Sequence, residues 1–215
     1  MNYLVLTGGS GGLGRALVSA FQGPLWQIAA PDHHALDVTD TAAVRAYFLG
    51  REVDLLICAA GVTRDAPLVR LEVCAWEEVI AVNLGGAAAC AAAALPGMQE
   101  RGRGHLMFLS SFSALHPPPG QVAYATAKAA LLGLTQELAQ RHGRHGIRVN
   151  AILPGFLDTP MTRNVTAKRR AQILAEHRLG AFNTPAAAAG FMYHLHHHLP
   201  HTSGQVFQLD SRLGT

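Results

Sequence analysis

Cysteine, charged residues and aromatic residues are all scarce in this chain. Its 215 residues include three cysteines, 14% charged residues and 7% aromatic residues. The cysteines are odd in number and do not have the spacing of metal ligands, so neither a disulfide framework nor a cysteine metal site is expected. They are Cys58, Cys74 and Cys90. Low charge combined with 49% hydrophobic residues argues against disorder, and the absence of a short repeat argues against a fibrous protein.

A leader segment and a membrane span are not expected either. The first residues, MNYLVLTGG, place no basic residues before an apolar run, so no signal peptide is predicted. The most apolar long run, residues 85–98, is mostly alanine and shorter than the ~20 residues of a membrane span. Cysteines without a disulfide pattern fit a reducing compartment. Together these features predict a soluble cytoplasmic protein without a membrane partner.

The excess of positive charge is small. Lys and Arg number 17 and Asp and Glu number 14, which gives a formal net charge of +3. The basic residues are scattered along the chain, so we expect no nucleic-acid partner. Five histidines crowd the last predicted helix without an HExxH pattern or a carboxylate at ligand spacing, so no metal site is expected. They are His194, His196, His197, His198 and His201.

Short apolar runs alternate with helical patterns from end to end, which predicts one doubly wound α/β domain over residues 1–215. The predicted strands are Tyr3–Thr7, Trp26–Ala30, Val53–Cys58, His105–Ser110, Arg148–Ile152 and Gln205–Leu209. The predicted helices are Gly12–Phe21, Thr41–Phe48, Leu71–Gln99, Val122–His142, Thr166–His177 and Pro185–Leu199. Continuous apolar strands are typical of a parallel sheet that helices cover on both faces.

A glycine-rich turn follows the first predicted strand. The segment TGGSGGLG, Thr7 to Gly14, leads directly into a helix. Such a turn lets the backbone approach a pyrophosphate, which the helix N-terminus stabilises. The alternative is a plain strand-to-helix turn. The residues expected to touch a dinucleotide here are Gly8, Ser10, Gly11, Gly12, Leu13 and Gly14.

Tyr124 and Lys128 stand four residues apart at the start of a predicted helix, so they share one face. A nearby ammonium would lower the pKa of a phenol from about 10, which suits proton transfer. Ser111, thirteen residues earlier, ends a strand where a substrate oxygen would bind, and Ser110 and Ser113 are alternatives. Asn83 is polar among apolar neighbours, which by itself favours a packing or kink role.

These motifs together resemble the short-chain dehydrogenase/reductase family over nearly the whole chain. The matching parts are Thr7 to Gly14, Asn83, Ser111, Tyr124, Lys128 and the run PGFLDT at 154–159. The resemblance implies an NAD(P)-dependent Rossmann-type oxidoreductase. It implies that Tyr124 exchanges a proton with the reacting oxygen and that Ser111, chosen over Ser110 by the family interval, orients the carbonyl. Lys128 would bind the nicotinamide ribose and lower the tyrosine pKa, and Asn83 would hold a relay water.

The resemblance also implies further cofactor contacts and a substrate class. The implied contacts are Asp37, Val38, Ala60, Gly61, Pro154, Leu157 and Thr159. The segment from residue 154 to residue 182 is similar to the substrate loop of bacterial 3-oxoacyl-(acyl carrier protein) reductases. A 3-oxoacyl thioester on carrier protein or CoA is therefore the first substrate expected. Family members commonly pair two helices across a two-fold axis, so a homotetramer or homodimer is expected.

Several departures keep other functions open. The family usually has N-N-A-G where this chain has Cys58-Ala-Ala-Gly61, and it usually ends in Asp-Gly-Gly where this chain has Asp210-Ser211-Arg212. Position 11 is Gly, where NADP-preferring reductases carry Arg or Lys. A small-alcohol or ketone dehydrogenase is the alternative enzyme. A weakly active nucleotide-binding partner subunit is the alternative from another class.

The region after the second strand is short. Only six residues separate Ala30 from Asp37, too few for a helix and a third parallel strand. We therefore predict six strands, with the second strand at the edge and an open adenine pocket. Asp32 is placed to accept hydrogen bonds from a ribose 2′-OH, which favours NAD(H), whereas His33 and His34 would suit NADP(H). The cofactor form stays open.

Basic residues surround the predicted substrate loop: Arg163, Lys168, Arg169, Arg170 and Arg178. A solvated helix face is the simpler interpretation. The alternative is that Arg169 and Arg170 help to dock an acidic carrier protein.

Overall fold

A parallel sheet of six strands forms the centre of the molecule in the computed structural model, which describes residues 1–213. The strands are β1 (Asn2–Thr7), β2 (Trp26–Ala29), β3 (Leu55–Cys58), β4 (Gly104–Leu109), β5 (Ile147–Leu153) and β6 (Val206–Gln208). Their order is β2-β1-β3-β4-β5-β6, and all five pairings are parallel. The order reverses at β1, so the ends of β1 and β3 form the switch point where ligands bind in such sheets.

Helices connect the strands and cover both faces. They are α1 (Gly12–Phe21), α2 (Thr41–Phe48), α3 (Val73–Ile80), α4 (Gly86–Arg101), α5 (Val122–His142), α6 (Ala167–Glu176) and α7 (Pro185–His198). Side-chain caps fix three of the starting points. Asp40 accepts from two backbone N–H groups of α2, Thr166 from one of α6 and Thr184 from one of α7, which satisfies donors that have no partner within the helix.

The alternation of side chains along each strand divides the core into two layers. Val5 and Leu56 point into the layer beneath α2, α4 and α5, whereas Leu4 and Leu55 point into the layer beneath α1 and α7. All four side chains are fully buried. Strands that are buried on both faces need apolar residues at successive positions, which is why they read as continuous runs in the sequence.

The prediction of a six-stranded sheet with β2 at its edge is confirmed. Between β2 and α2 the chain forms only turns and irregular structure. The predicted strands differ from the observed ones by one or two residues at their ends, and the six predicted helices are all present. Because the second strand has a partner on one side only, the segment after it is open to solvent.

The predicted helix Leu71–Gln99 is the element that differs most. The helical stretch Val73–Arg101 has 29 residues, and a five-residue π-helical segment, Ala81–Gly85, separates α3 from α4. The prediction that no apolar run is long enough to span a membrane was wrong on length, since this stretch is long enough to do so. Its most apolar 18-residue window has a mean hydropathy of 1.8. Cys90 and Met98 on this stretch are fully buried in the core, so one of its faces packs inside the protein.

Candidate active site

A cleft of about 1060 Å³ opens at the carboxyl ends of the strands. Its walls come from the glycine turn, the segments that follow β3, β4 and β5, the start of α5 and one side of α6. This is the edge at which ligands bind in open parallel sheets. The cleft is large enough for a dinucleotide end together with a small substrate.

The glycine turn has no room for side chains. Gly8 has φ +74°, and a Cβ added there would lie 2.8 Å from the backbone nitrogen of Ala60. A Cβ on Gly14 would lie 2.7 Å from the carbonyl oxygen of Gly9. Only glycine therefore allows this close approach of the turn, β3 and the start of α1. Backbone N–H groups at the start of α1 are left for an anion such as a pyrophosphate, so the turn fits a dinucleotide.

The three serine candidates have different surroundings. The buried Ser110 hydroxyl donates to the carbonyl oxygen of Lys128 (2.8 Å), and the Ser113 hydroxyl donates to Gln121 Oε1 (2.9 Å). Ser111 accepts from the backbone N–H of Ser113 (3.1 Å), and its hydroxyl lowers the pKa of the Tyr124 phenol. All three serines line the cleft with Tyr124, but of the three only Ser111 influences the phenol, so the choice of Ser111 by the family interval stays the prediction.

Tyr124 and Lys128 both line the cleft from the first turns of α5. Burial raises the pKa of the Tyr124 phenol above its ordinary value, the Ser111 hydroxyl opposes that rise, and the charge of Asp65 adds to it. The expectation that Lys128 lowers this pKa stays a prediction. The Lys128 ammonium lies 5.6 Å from the centre of the Tyr124 ring and donates to the carbonyl oxygen of Leu109 (2.8 Å), so burial of the phenol dominates.

The Lys128 ammonium is itself buried. Burial lowers its pKa to about 8, and the neighbouring Cys58 thiol opposes this shift. Cys58 stands where the related sequences usually carry the first asparagine of N-N-A-G. Burial, with a smaller contribution from Cys90, raises the pKa of Cys58 well above its ordinary value, so the thiol stays neutral at physiological pH.

Asn83 sits in the π-helical segment and is almost fully buried. Its Nδ2 donates to the carbonyl oxygens of Val62 and Val79, each at 2.9 Å. Its Oδ1 has no hydrogen-bond partner within residues 1–213. A Cβ placed on Gly61 would lie 2.7 Å from this Oδ1 and 3.5 Å from Lys128 Nζ. Asn83 therefore lies both in the π-helical segment and in the cleft wall, and its free acceptor suits a bound water.

Some of the other implied cofactor contacts line the cleft and others do not. Besides the residues described above, the cleft wall includes Gly11, Gly12, Leu13, Gly61, Pro154, Leu157 and Thr159. Thr159 closes over the glycine turn, since a Cβ on Gly12 would lie 2.6 Å from its Cγ2. Outside the cleft wall lie Ser10, Asp32, Asp37, Val38 and Ala60.

Of these outer residues, Ser10 follows β1, Ala60 follows β3, and the remaining three follow β2. Asp32 Oδ1 accepts from the backbone N–H groups of His34 and Ala35, each at 3.0 Å. Hydrogen bonding to Ala35, against a smaller effect of burial, keeps the pKa of Asp32 below its ordinary value, so the carboxylate is charged. Asp37 is hydrogen-bonded to Thr39, and Val38 packs closely against Gly86. The segment between Asp32 and Asp37 is exposed at His33, His34 and Ala35, and the open adenine pocket stays a prediction.

Sequence inspection missed several residues of the cleft wall, and four of them make contacts that bear on the chemistry. They are Asp65, Phe112, Gln121 and Arg212. Gln121 links the first turn of α5 to the loop after β3, because its Nε2 donates to Asp65 Oδ2 (2.9 Å). Arg212 had one visible signal, since it replaces a glycine of the usual Asp-Gly-Gly tail. Asp65 and Gln121 lie in loops or at a helix start, and their sequence carried no comparable signal.

The basic residues near the substrate loop do not form one patch. Arg170 pairs with Asp158, its Nη2 lying 2.5 Å from Oδ2, and its guanidinium packs over the ring of Phe182. Arg169 lines the cleft. The histidines of α7 form no cluster of three or more side chains able to hold a metal within the described part of the chain.

A family model described as short chain dehydrogenase matches residues 26–170. Fold, cleft and match together identify the chain as a member of the short-chain dehydrogenase/reductase family, and it is an NAD(P)-dependent oxidoreductase of that family. The matched range includes the Ser111, Tyr124 and Lys128 positions, whereas the glycine turn lies before it.

Among relatives, the 3-oxoacyl-[acyl-carrier-protein] reductase FabG of Thermotoga maritima is 35% identical over 189 residues, which is 85% of this chain and 76% of that protein. The (3R)-3-hydroxyacyl-CoA dehydrogenase of Canis lupus familiaris is 37% identical over 71% of this chain, but only 62% of that protein is covered. A structure from Beutenbergia cavernae with bound NADP, assigned as an NAD(P)-dependent gluconate 5-dehydrogenase, has a TM-score of 0.92 at 26% identity, and the match covers 98% of this chain and 95% of that one.

Proposed function

We propose that this protein interconverts a ketone and a secondary alcohol, with a 3-oxoacyl thioester as its first substrate class. The observation that supports the proposal is that Ser111 and Tyr124 lie in the wall of the same cleft, with the Ser111 hydroxyl near enough to the phenol to lower its pKa. Two neighbouring hydroxyl groups in one cleft wall can both donate hydrogen bonds to the same substrate carbonyl oxygen. The similarity to 3-oxoacyl thioester reductases and to a 3-hydroxyacyl-CoA dehydrogenase supports the acyl substrate.

In the reductive direction, Ser111 donates a hydrogen bond to the carbonyl oxygen and Tyr124 gives that oxygen its phenolic proton. The chemistry that a bound reduced nicotinamide supplies is a hydride for the carbonyl carbon. The raised pKa of Tyr124 keeps its proton in place at neutral pH, which suits a general acid. Loss of this proton leaves a phenolate that must be protonated again before the next turnover.

Lys128 and Asn83 complete the proposed proton path. Their polar ends face the same space beside Gly61, where a water would accept from the Lys128 ammonium and donate to Asn83 Oδ1. Lys128 would also hold the ribose hydroxyls of the cofactor. The glycine turn would hold the pyrophosphate, and Leu157 and Thr159 would contact the carboxamide.

The experiment that tests this function follows oxidation of NADH and of NADPH by absorbance with an acetoacetyl thioester and a panel of simple ketones. Turnover of the thioester above the simple ketones is the expected result. Binding of nicotinamide without turnover of any ketone would contradict the proposal and would favour a partner subunit.

A second candidate is a dehydrogenase of a small hydroxylated ketone or alcohol. It is favoured by the polar chain of Ser113, Gln121 and Asp65 along the cleft wall, which can bind hydroxyl groups. The structural similarity to a protein assigned as a gluconate 5-dehydrogenase points the same way. Polyhydroxy ketones therefore belong in the same panel, and their preference over the thioester would select this candidate.

Docking of an acidic carrier protein is a further part of the proposal. Because Arg170 is paired with Asp158, charge reversal there would also break that ion pair. Lys168 is exposed and forms no ion pair within the described residues, so Lys168→Glu is the cleaner variant. Lys168→Glu should reduce activity, relative to wild type, more with a carrier-bound thioester than with a small thioester, because electrostatic steering acts on the charged carrier and weakens with salt. An equal change in activity on both substrates would contradict docking.

A further inference from the structure

Arg212 is a buried cation in the cleft wall to which the proposed chemistry assigns no role. Its side chain is only 9% exposed, yet the residue lines the cleft together with Phe112 and Leu213. Burying a guanidinium costs free energy unless other groups compensate its charge. The presence of this charge beside the substrate space therefore calls for an explanation.

The guanidinium of Arg212 is held in one orientation. Its Nε and Nη2 donate to Asp210 Oδ2 at 2.8 and 2.5 Å, and its Cζ lies 3.7 Å from the centre of the Phe112 ring. Asp210 is fixed in turn, since its Oδ1 accepts from Gln208 Nε2 (3.0 Å). Phe112 directly follows Ser111, so the guanidinium packs against the loop that carries the proposed substrate-binding hydroxyl. A cation fixed in this way loses little further freedom when it binds a ligand.

The remaining edge of Arg212 is less well satisfied. Its Nη1 makes no hydrogen bond within residues 1–213, and Glu176 Oε2 lies 4.0 Å away, beyond normal hydrogen-bond distance. The other oxygen of Glu176 lies 4.0 Å from Nη1 of Arg169. Glu176 therefore stands between two arginines at a distance from both, and its side chain is 45% exposed. Arg169, Glu176 and Arg212 all line the cleft.

We propose that Arg212 and Arg169 bind an anionic group of the substrate, which takes the place of the Glu176 carboxylate between them. A planar guanidinium pairs well with carboxylate or phosphate oxygens through two N–H groups. When Glu176 turns towards solvent, Arg212 keeps Asp210 as its partner, whereas Arg169 has no other carboxylate within salt-bridge distance among the described residues, so one positive charge remains for the ligand. The identity of this ligand as a substrate rests on the proposed ketone reduction, whereas the anion site itself does not.

The anion has two chemical sources in a 3-oxoacyl thioester. One is a carboxylate at the far end of the acyl chain, and the other is a phosphate on the pantetheine arm. Two substrate series distinguish them. The first series is methyl ketones with a terminal carboxylate at increasing distance from the carbonyl, each compared with its methyl ester. The second series is acetoacetyl thioesters of pantetheine and of 4′-phosphopantetheine.

The test compares wild type with Arg212→Gln, Arg212→Lys and Glu176→Gln. In wild type, the anionic member of one series should have a kcat/KM higher than its neutral partner by roughly tenfold or more, as expected for a charge-assisted hydrogen bond. Arg212→Gln should bring this ratio close to one, because it raises KM more for the anionic member than for the neutral member, and Arg212→Lys should restore the ratio only in part. Glu176→Gln should increase the ratio, because the competing carboxylate is gone. Arg144→Gln, an exposed charge outside the cleft, is the matched control and should leave the ratio unchanged.

Several outcomes would overturn the anion site. One is an absence of anion preference in wild type although neutral ketones are reduced. Another is an equal loss of activity on both members of a pair in Arg212→Gln, which would indicate a structural role. If Arg212→Gln fails to fold, Glu176→Gln still tests the site because it leaves the pair with Asp210 intact. Stabilisation of the protein by glutarate over dimethyl glutarate, measured as a shift in Tm, tests anion binding even if no ketone is turned over, so the two proposals can fail separately.

Discussion

The Nζ atom of Lys128 lies 5.6 Å from the centre of the Tyr124 ring and is hydrogen-bonded to the carbonyl oxygen of Leu109. The ammonium is thus anchored on the backbone of β4 and does not compensate the burial of the phenol. The pKa of Tyr124 is consequently raised, while that of Lys128 is lowered to about 8. At neutral pH, the pair therefore consists of a neutral phenol and a charged ammonium.

The first prediction concerns the phenol. Tyr124→Phe should lower kcat for ketone reduction by at least about a hundredfold, because it removes the proton donor and keeps the ring. Binding of NAD(P)H, measured by fluorescence, should be nearly unchanged. Lys128→Ala should weaken both turnover and binding, since Lys128 is proposed to hold the ribose. A Tyr124→Phe enzyme with near wild-type turnover would show that another group supplies the proton.

The second prediction uses the close approach at Gly61. A Cβ there would lie 2.7 Å from Asn83 Oδ1, so Gly61→Ala should displace the amide and any water that it holds. We expect kcat to fall by about a hundredfold, the effect of a misplacement of about 1 Å. Gly190→Ala is the matched control, since nothing lies within 4 Å of its added Cβ and it is in α7. That change should raise stability by ~1 kcal/mol and leave turnover unchanged; equal turnover in both variants would contradict the role of Asn83.

The order of the elements could be predicted because buried parallel strands and covering helices leave different periodicities in the sequence. The π-helical segment could not, since it depends on tertiary hydrogen bonding. Asn83 bonds to Val79 in its own helix and to Val62 in a loop 21 residues away. The same limit applies to the serines, because only the fold shows that Ser110 bonds to the backbone of Lys128. Arg212 was visible as an unusual tail residue, but its place in the cleft requires the path of the chain after β6.

The third prediction concerns acid stability at the amino ends of the strands. His105 Nδ1 lies 3.2 Å from His196 Nδ1, and its Nε2 lies 3.0 Å from Asn150 Nδ2. Burial, reinforced by Arg148, lowers the pKa of His105 well below its ordinary value and that of His196 to about 3. Both rings stay neutral in the folded protein but protonate near pH 6.5 when it unfolds.

Because the unfolded chain binds more protons below that pH, the stability is complete above about pH 6.5 and falls as the pH decreases through it. The loss should be on the order of 1 kcal/mol per pH unit for each ring. Urea unfolding at several pH values measures this slope. His105→Gln should make the dependence shallower, whereas His201→Gln, which changes an exposed residue, should not. A wild-type stability that is constant down to pH 5 would refute the prediction.

The fourth prediction is self-association through α4 and α5, which are rich in small residues. We expect a tetramer or a dimer, because small residues let the two helices of one copy approach those of another across a two-fold axis. Gly133 is exposed on α5, and nothing lies within 4 Å of a Cβ added there. Gly133→Lys should therefore reduce the mass measured by light scattering without unfolding the protein, whereas Gly190→Lys on α7 should not. A wild-type monomer at micromolar concentration would rule out this assembly.

The last prediction concerns the form of the nicotinamide. Asp32 follows β2, the edge strand, and only its Oδ1 is engaged by backbone N–H groups. Its Oδ2 is available for the ribose 2′-OH of NAD(H), and its charge would repel a 2′-phosphate. We therefore expect a lower KM for NADH than for NADPH. Asp32→Ser should raise the KM for NADH and lower that for NADPH, with kcat little changed because Asp32 lies outside the cleft.

His33 and His34 provide the opposing possibility within the same segment. Their ring centres lie 3.7 Å apart, and ring N–H groups there could donate hydrogen bonds to a 2′-phosphate. His33→Ala separates the two interpretations, because it should leave the KM for NADH unchanged if Asp32 decides the preference. A KM for NADPH that is much lower than that for NADH in wild type, and that rises in His33→Ala, would show that the histidines select NADP(H) and that the Asp32 charge is overcome.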